Sequence, residues 1–152
     1  MSMWTDWFIA DPADAPAIAS IVAEERDHDD WPHLELSGVI ESHLMALWGV
    51  LKGTPGKWAN LNSPRLHQVG EADEDGVGED GLVSVSRVDA DFILTLAAVP
   101  DGQVPDLAKQ WRADESLEGW TTEGATETLR DAVAFARRAK AAGKPVLQLV
   151  VV

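Results

Sequence analysis

The chain has 152 residues, of which 45% are apolar and 25% charged, a size and composition typical of one globular domain. No apolar run approaches the roughly 18 residues of a transmembrane helix, and the first ten residues lack the basic start of a signal peptide. We therefore expect a cytoplasmic protein with a single domain over residues 1–152. The absence of Cys excludes disulfides, thiol catalysis and iron–sulfur clusters.

Acidic residues dominate the charge. The chain has 26 Asp and Glu against 12 Lys and Arg, a formal net charge of −14. Such a surface repels phosphate groups, which disfavours binding to nucleic acid or to an anionic membrane. Residues 24–35 and 71–80 together hold twelve acids and one Arg, whereas residues 132–152 hold four bases and no acid. The acids either keep the protein in solution or form a face for a basic partner.

Apolar periodicity and turn residues predict the elements in chain order. The N-terminal half begins with a strand at 3–10, a helix from Asp14 to about 25, an acidic connector at 24–35 and a helix after Ser37 that Gly53 ends. A long irregular stretch at 53–81 follows, with a short strand near 66–69, and then a strand at 82–88. The remainder is predicted to form a helix capped by Asp89, a helix opened by Pro105, a helix from Thr121 or Thr122 to about 142 that Gly143 ends, and a strand at 146–151.

The predicted fold class is α+β. The order of elements indicates one small mixed β-sheet of about three to four strands packed with about five α-helices. The C-terminal strand is apolar on both faces except at Gln148, which indicates an interior strand covered on both sides.

The chain resembles the YfbM-like family of uncharacterised bacterial proteins. The resemblance lies in the start Met1-Ser2-Met3, in a helix whose Leu47 and Leu51 lead to a glycine, and in the C-terminal helix and strand, over about a third of the chain. Trp48 departs from the family pattern, which often places its helix Trp at the position of Leu44. The resemblance implies an α+β domain and supplies no activity or catalytic residue.

The chain contains seven Trp and no Tyr. Four of them lie in apolar patterns and are predicted to fill the core: Trp4, Trp7, Trp48 and Trp111. Trp31 and Trp58 instead lie beside prolines, charges or loop residues, where an exposed indole anchors a partner in many interfaces.

Two short motifs in the acidic loop do not support a ligand site. Residues 76–81 match Gly-x-Gly-x-x-Gly, but an acidic loop precedes them and a strand follows, the reverse of a dinucleotide site. The acids of residues 73–80 lack the ligand spacing of a calcium loop, because Val77 and Ser84 occupy its fifth and twelfth positions. We expect no cofactor and no tightly bound metal.

The most concentrated polar cluster lies in the first acidic connector. His28 and His33 occur there among acids and beside Trp31, and these residue types bind metals or cations. Their spacing matches no established ligand motif, and Pro32 prevents a shared helical face. The candidate binding residues are His28, Asp29, Asp30, Trp31 and His33, with surface histidines in a polar connector as the alternative interpretation.

No catalytic constellation is recognisable in the sequence. The leading hypothesis is a non-enzymatic acidic binding protein, such as a regulatory or immunity-type partner of a basic protein. The alternative is a small hydrolase or metal-dependent enzyme that uses the segment containing His28 and His33. The sequence does not indicate the oligomeric state.

Overall fold

The computed structural model describes residues 4–23, 26–70, 72–73, 76–77 and 81–152. Its strands are β1 (Trp4–Ile9), β2 (His33–Glu35), β3 (Arg65–Val69), β4 (Ala72–Asp73), β5 (Gly76–Val77), β6 (Val83–Arg87) and β7 (Val146–Val151). Five of them form one sheet in the order β2-β1-β7-β6-β3, and every neighbouring pair is antiparallel. The short strands β4 and β5 pair with each other in a separate two-stranded sheet.

The α-helices within this part of the chain are α1 (Ala15–Ala19), α2 (Glu41–Leu51), α3 (Ala90–Ala97), α4 (Val104–Arg112) and α5 (Thr122–Ala142). Short 3-10 turns lie at Pro12–Asp14, Ser20–Ala23, His28–Asp30, Asp101–Gln103 and Glu115–Leu117. Among the described helices, none combines the length and apolarity that crossing a bilayer requires.

Several helix ends lie where the sequence predicts them. The Asp89 carboxylate accepts hydrogen bonds from the backbone amides of Asp91 and Phe92 and so caps α3. The Thr121 hydroxyl accepts from the amide of Gly124 at the start of α5. Gly143 ends α5 with a φ of +67°, a left-handed conformation that favours glycine.

The structure confirms the α+β class and corrects the sheet. It has five antiparallel strands, not a mixed set of three to four. The strand that the sequence analysis missed is β2, which is only three residues long and lies in the acidic connector. Helix α1 is also shorter than predicted, because the chain turns at Ser20–Ala23 on its way back to pair β2 with β1.

Helices cover the sheet on both faces, which is why β7 is apolar on both sides. Leu147 and Leu149 pack with Phe8 and α1 on one face. Val146 packs on the other face with Trp7 in a larger core formed with α2, α3, α4 and α5. The predicted interior position of β7 is confirmed, since β1 and β6 flank it.

Gln148, the polar exception in β7, has a specific partner. It lies directly opposite Trp7 across the β1–β7 pair, and its Oε1 accepts a hydrogen bond of 3.0 Å from the Trp7 indole. The indole N–H would otherwise be buried without a partner, which costs free energy.

The tryptophan predictions are confirmed for Trp7, Trp48 and Trp111, which are buried, and wrong for Trp4. Trp4 is 41% exposed, because it lies at the end of β1 beyond the part of that face that α1 covers. Trp58 is 45% exposed, as expected, and its indole donates to the Asp114 carboxylate.

His43 is buried at the start of α2. Its Nδ1 accepts from the Ile40 amide, and its Nε2 donates to the Ser116 carbonyl 2.9 Å away. The two loop motifs discussed above, at 73–80 and 76–81, include residues 74–75 and 78–80, which lie outside the described residues.

Candidate binding site at the edge of the sheet

A cleft opens at the edge of the sheet, where β1, β2 and the turn His28–Asp30 meet. It encloses about 340 Å³. We call it the Trp4 cleft, and its lining residues are Trp4, Thr5, Asp6, His28, Glu35, Ser37 and Gly38. Trp4 and His28 also line a second, wider cavity of about 700 Å³ beside it, toward Arg26.

Asp6 is the buried charged group of the cleft. Its side chain is only 8% exposed, and its Oδ2 accepts a hydrogen bond of 2.9 Å from His28 Nε2. Burial raises the pKa of Asp6 above its ordinary value of 3.8, and the nearby Glu35 carboxylate raises it further. The hydrogen bond and the charge of His28 act in the opposite direction without cancelling the effect of burial.

The structure brings His28 and His33 together over the sheet. Their ring centroids are 5.6 Å apart, and both rings lie against Phe8, at 5.9 and 6.1 Å. His33 Nδ1 lies 3.3 Å from the Trp31 carbonyl oxygen, to which it donates. The two imidazoles are therefore oriented by different partners: Asp6 holds His28, and the main chain holds His33.

Of the five predicted residues only His28 lines the cleft, and the three besides the two histidines have other surroundings. Asp29 is exposed and has its Oδ1 4.0 Å from His33 Nδ1. Asp30 forms an ion pair of 2.8 Å with Arg26, which lowers the pKa of its carboxyl group. Trp31 is half-buried, with its edge against Phe8 and the Arg26 guanidinium 4.9 Å above its ring. Trp31 is thus a packed residue, whereas Trp4 is the more exposed indole.

The arrangement of these side chains suits a positively charged organic group better than a metal ion. Within the described ranges, no three His, Asp or Glu residues are grouped so as to hold a metal. Asp6 and Glu35 instead place two carboxylates beside the exposed indole of Trp4. Carboxylates and the face of an indole both attract a positive group, and more strongly where water is partly excluded.

Trp4 and Asp6 are not among the predicted site residues. The apolar pattern places Trp4 in the core, and Asp6 was not singled out, although the sequence contains a signal for it. An acid between Trp4 and Phe8 at alternate strand positions shares their side of the strand, and a charge on a buried side has a partner or a function.

Comparisons with known proteins identify no family for the chain. No protein-family model matches it, and no curated protein matches it. A solved structure described as a protein of unknown function, YfbM from Escherichia coli, matches with 17% identity and a TM-score of 0.43, covering 98% of this chain and 99% of that one. This is the protein after which the family of the sequence resemblance is named. It assigns no function.

Proposed function

We propose that this protein is a non-enzymatic acidic binding protein, and that a cationic group of a basic partner protein occupies the Trp4 cleft. The observation that carries the proposal is the Asp6 carboxyl group, buried to more than nine-tenths yet lining an open cavity. An ionised carboxylate in such a place is poorly hydrated, so a positive group that enters the cleft compensates it.

The partner's cation has three favourable contacts in this cleft. It approaches Asp6 and Glu35, which lie directly opposite each other on β1 and β2. It also meets the exposed ring of Trp4. Among the residues described, the lining of the cleft includes no Lys or Arg that would compete with it. A lysine or arginine side chain fits this combination of carboxylates and indole.

The acids outside the cleft contribute to the rate of association. Asp27, Asp29 and Asp30 lie on the segment that forms one wall. Charges at the edge of an interface accelerate the encounter of opposite charges, and salt screens this effect over roughly 8–10 Å. Asp29→Asn combined with Asp30→Asn should therefore lower the association rate more than it changes the dissociation rate.

Affinity capture with two charge-matched variants tests the proposal. We expect the wild type to retain a basic protein from the native host. Asp6→Asn with Glu35→Gln should weaken that complex by more than about tenfold, because each change removes a charge contact in a partly buried site. The control is Asp106→Asn with Glu127→Gln, which removes the same charge from exposed helix positions. Equal retention by both variants, or the absence of any basic partner, contradicts the proposal.

One contact supports a second candidate function. An imidazole hydrogen-bonded to a buried carboxylate beside a cavity is the arrangement of a general base, and His28 with Asp6 has that geometry. A small hydrolase is therefore the alternative. His28→Gln separates the two functions, because it abolishes base-catalysed ester hydrolysis but leaves both cleft carboxylates in place for a cationic partner.

A further inference from the structure

A groove that shares no lining residue with the Trp4 cleft has the opposite electrostatic character. It lies between α3, the C-terminal end of α5 and the start of β7, and it encloses about 260 Å³. We call it the α3–α5 groove. Its floor consists of buried apolar side chains, and Leu94, which is 50% exposed, forms part of its wall. The buried floor residues are Val88, Ile93, Ala139 and Val146.

Three cations surround this apolar floor: Arg87, Lys140 and Lys144. They are a quarter of the twelve Lys and Arg residues in a chain of net charge −14. No acid occurs among the described residues that line the groove. The groove is therefore a basic, apolar site on a strongly acidic protein.

The local fold accounts for only part of this charge. Lys140 lies in the last turn of α5, where the helix dipole favours a cation. Lys144 Nζ lies 3.7 Å from the Asp11 carboxylate, and both side chains are about half exposed, so this ion pair stabilises the fold little. Neither reason applies to Arg87, which is exposed at the end of β6.

The acid closest in sequence to Arg87 is already engaged elsewhere. Asp89 and Asp91 line a neighbouring cavity that Arg87 also borders, and neither acid lines this groove. The two carboxylate oxygens of Asp89 accept hydrogen bonds from the backbone amides of Asn62, Asp91 and Phe92. Asp89 thus serves as the cap of α3.

We infer that the α3–α5 groove binds a small amphipathic anion, a carboxylate on a medium-length apolar body. The apolar body lies on the buried floor and along Leu94, and the carboxylate contacts Arg87 and Lys140. The volume is near the lower end of the roughly 300–1,000 Å³ range of small-molecule sites, which favours a compact ligand. This inference does not depend on the Trp4 cleft, where an anion is repelled.

Titration of the protein with octanoate tests the inference, with calorimetry and amide chemical shifts as the two readouts. We expect saturable binding with the largest shifts at Ile93, Leu94 and Val146. Affinity should increase by up to about fourfold for each methylene added between butanoate and octanoate, because each added methylene is buried against the apolar floor. Octanol and octylammonium have the same chain without the negative charge, and we expect them to bind more weakly, octylammonium most weakly.

Charge-matched variants separate a built site from general attraction. Arg87→Gln with Lys140→Gln should weaken octanoate binding by about tenfold and leave octanol unchanged, because only the anion contacts these side chains. Lys109→Gln with Arg130→Gln changes two exposed helix cations outside the groove and should leave both ligands unchanged.

A third variant tests the apolar part of the site. Leu94→Ser should weaken octanoate and octanol alike, with only a small decrease in the unfolding midpoint, since Leu94 is already half exposed. The inference is overturned by no octanoate binding at millimolar concentration, by shifts located elsewhere, or by equal losses in the groove variant and its charge-matched control.

Discussion

Asp6 and Glu35 lie directly opposite each other across the antiparallel pair of β1 and β2. Residues in such positions project from the same face of the sheet, so two carboxylates meet at its edge. Burial is the main reason that the pKa of Asp6 lies above its ordinary value, and the like charge of Glu35 raises it further, whereas the hydrogen bond and charge of His28 lower it only in part. Ionisation of Asp6 at this edge of the sheet therefore opposes folding.

The first prediction follows from the raised pKa of Asp6. The folded chain holds the Asp6 proton more tightly than the unfolded chain does, so the stability that protonated Asp6 confers is lost as the pH rises from 3.8 through the folded pKa. Asp6→Asn carries no such group. In urea unfolding between pH 3.5 and 7, the free energy of unfolding of Asp6→Asn relative to that of wild type should increase with pH. A relative stability that falls with pH contradicts the assignment, and Asp106→Asn is the exposed control.

The second prediction concerns His43, whose pKa has the opposite consequence. Burial lowers the pKa of His43, although the Ser116 carbonyl and the Asp114 carboxylate act to raise it. The unfolded chain therefore takes up the proton first, and stability is lost as the pH falls through 6.5. Wild type should lose more stability than His43→Gln between pH 7.5 and 5.5. At pH 7.5 the variant should be about 1–2 kcal/mol less stable, because it disturbs two buried hydrogen bonds. Parallel pH profiles for the two proteins refute the prediction.

The third prediction concerns Gly49, a helix glycine at a close backbone approach. A Cβ atom at this position would overlap the Lys57 carbonyl oxygen, so the 53–58 segment must move if an alanine is introduced. Gly49→Ala should cost about 1–3 kcal/mol, the usual range for overpacking. At Gly102 a Cβ meets nothing within 4 Å, and Gly102→Ala should change stability by less than about 0.5 kcal/mol. Thermal unfolding of the two variants gives the comparison, and equal midpoints would show that the close approach is absent.

The fourth prediction concerns the C-terminal strand. Removal of residues 146–152 takes β7 from between β1 and β6 and exposes apolar residues of both cores, including Leu147 and Leu149. It also leaves the backbone groups of two strand edges unpaired. We expect an insoluble or unfolded product. A soluble truncated chain with a cooperative thermal transition would be incompatible with the central position of β7.

Features that depend on neighbours in sequence were predicted correctly. The cap at Asp89, the start of α5 after Thr121 and its end at Gly143 are signals contained within one helical turn. Residues 82–88 alternate with a period of two, which identifies a strand. Residues 146–151 form an apolar run, which identifies a strand that is buried on both faces. Local rules are sufficient for such features, because the interacting groups are only a few residues apart.

Features that join distant residues were decided only by the tertiary structure. The contact of Asp6 with His28 spans 22 positions and that of Trp7 with Gln148 spans 141, and neither leaves a local pattern in the sequence. The strand β2 is too short to have a period of its own and exists because β1 offers an open edge. Composition and local pattern determined that this is an acidic α+β protein with a buried C-terminal strand. Which side chains meet in its clefts depended on strand order and on the coverage of each face, because burial and pairing are properties of the assembled layers.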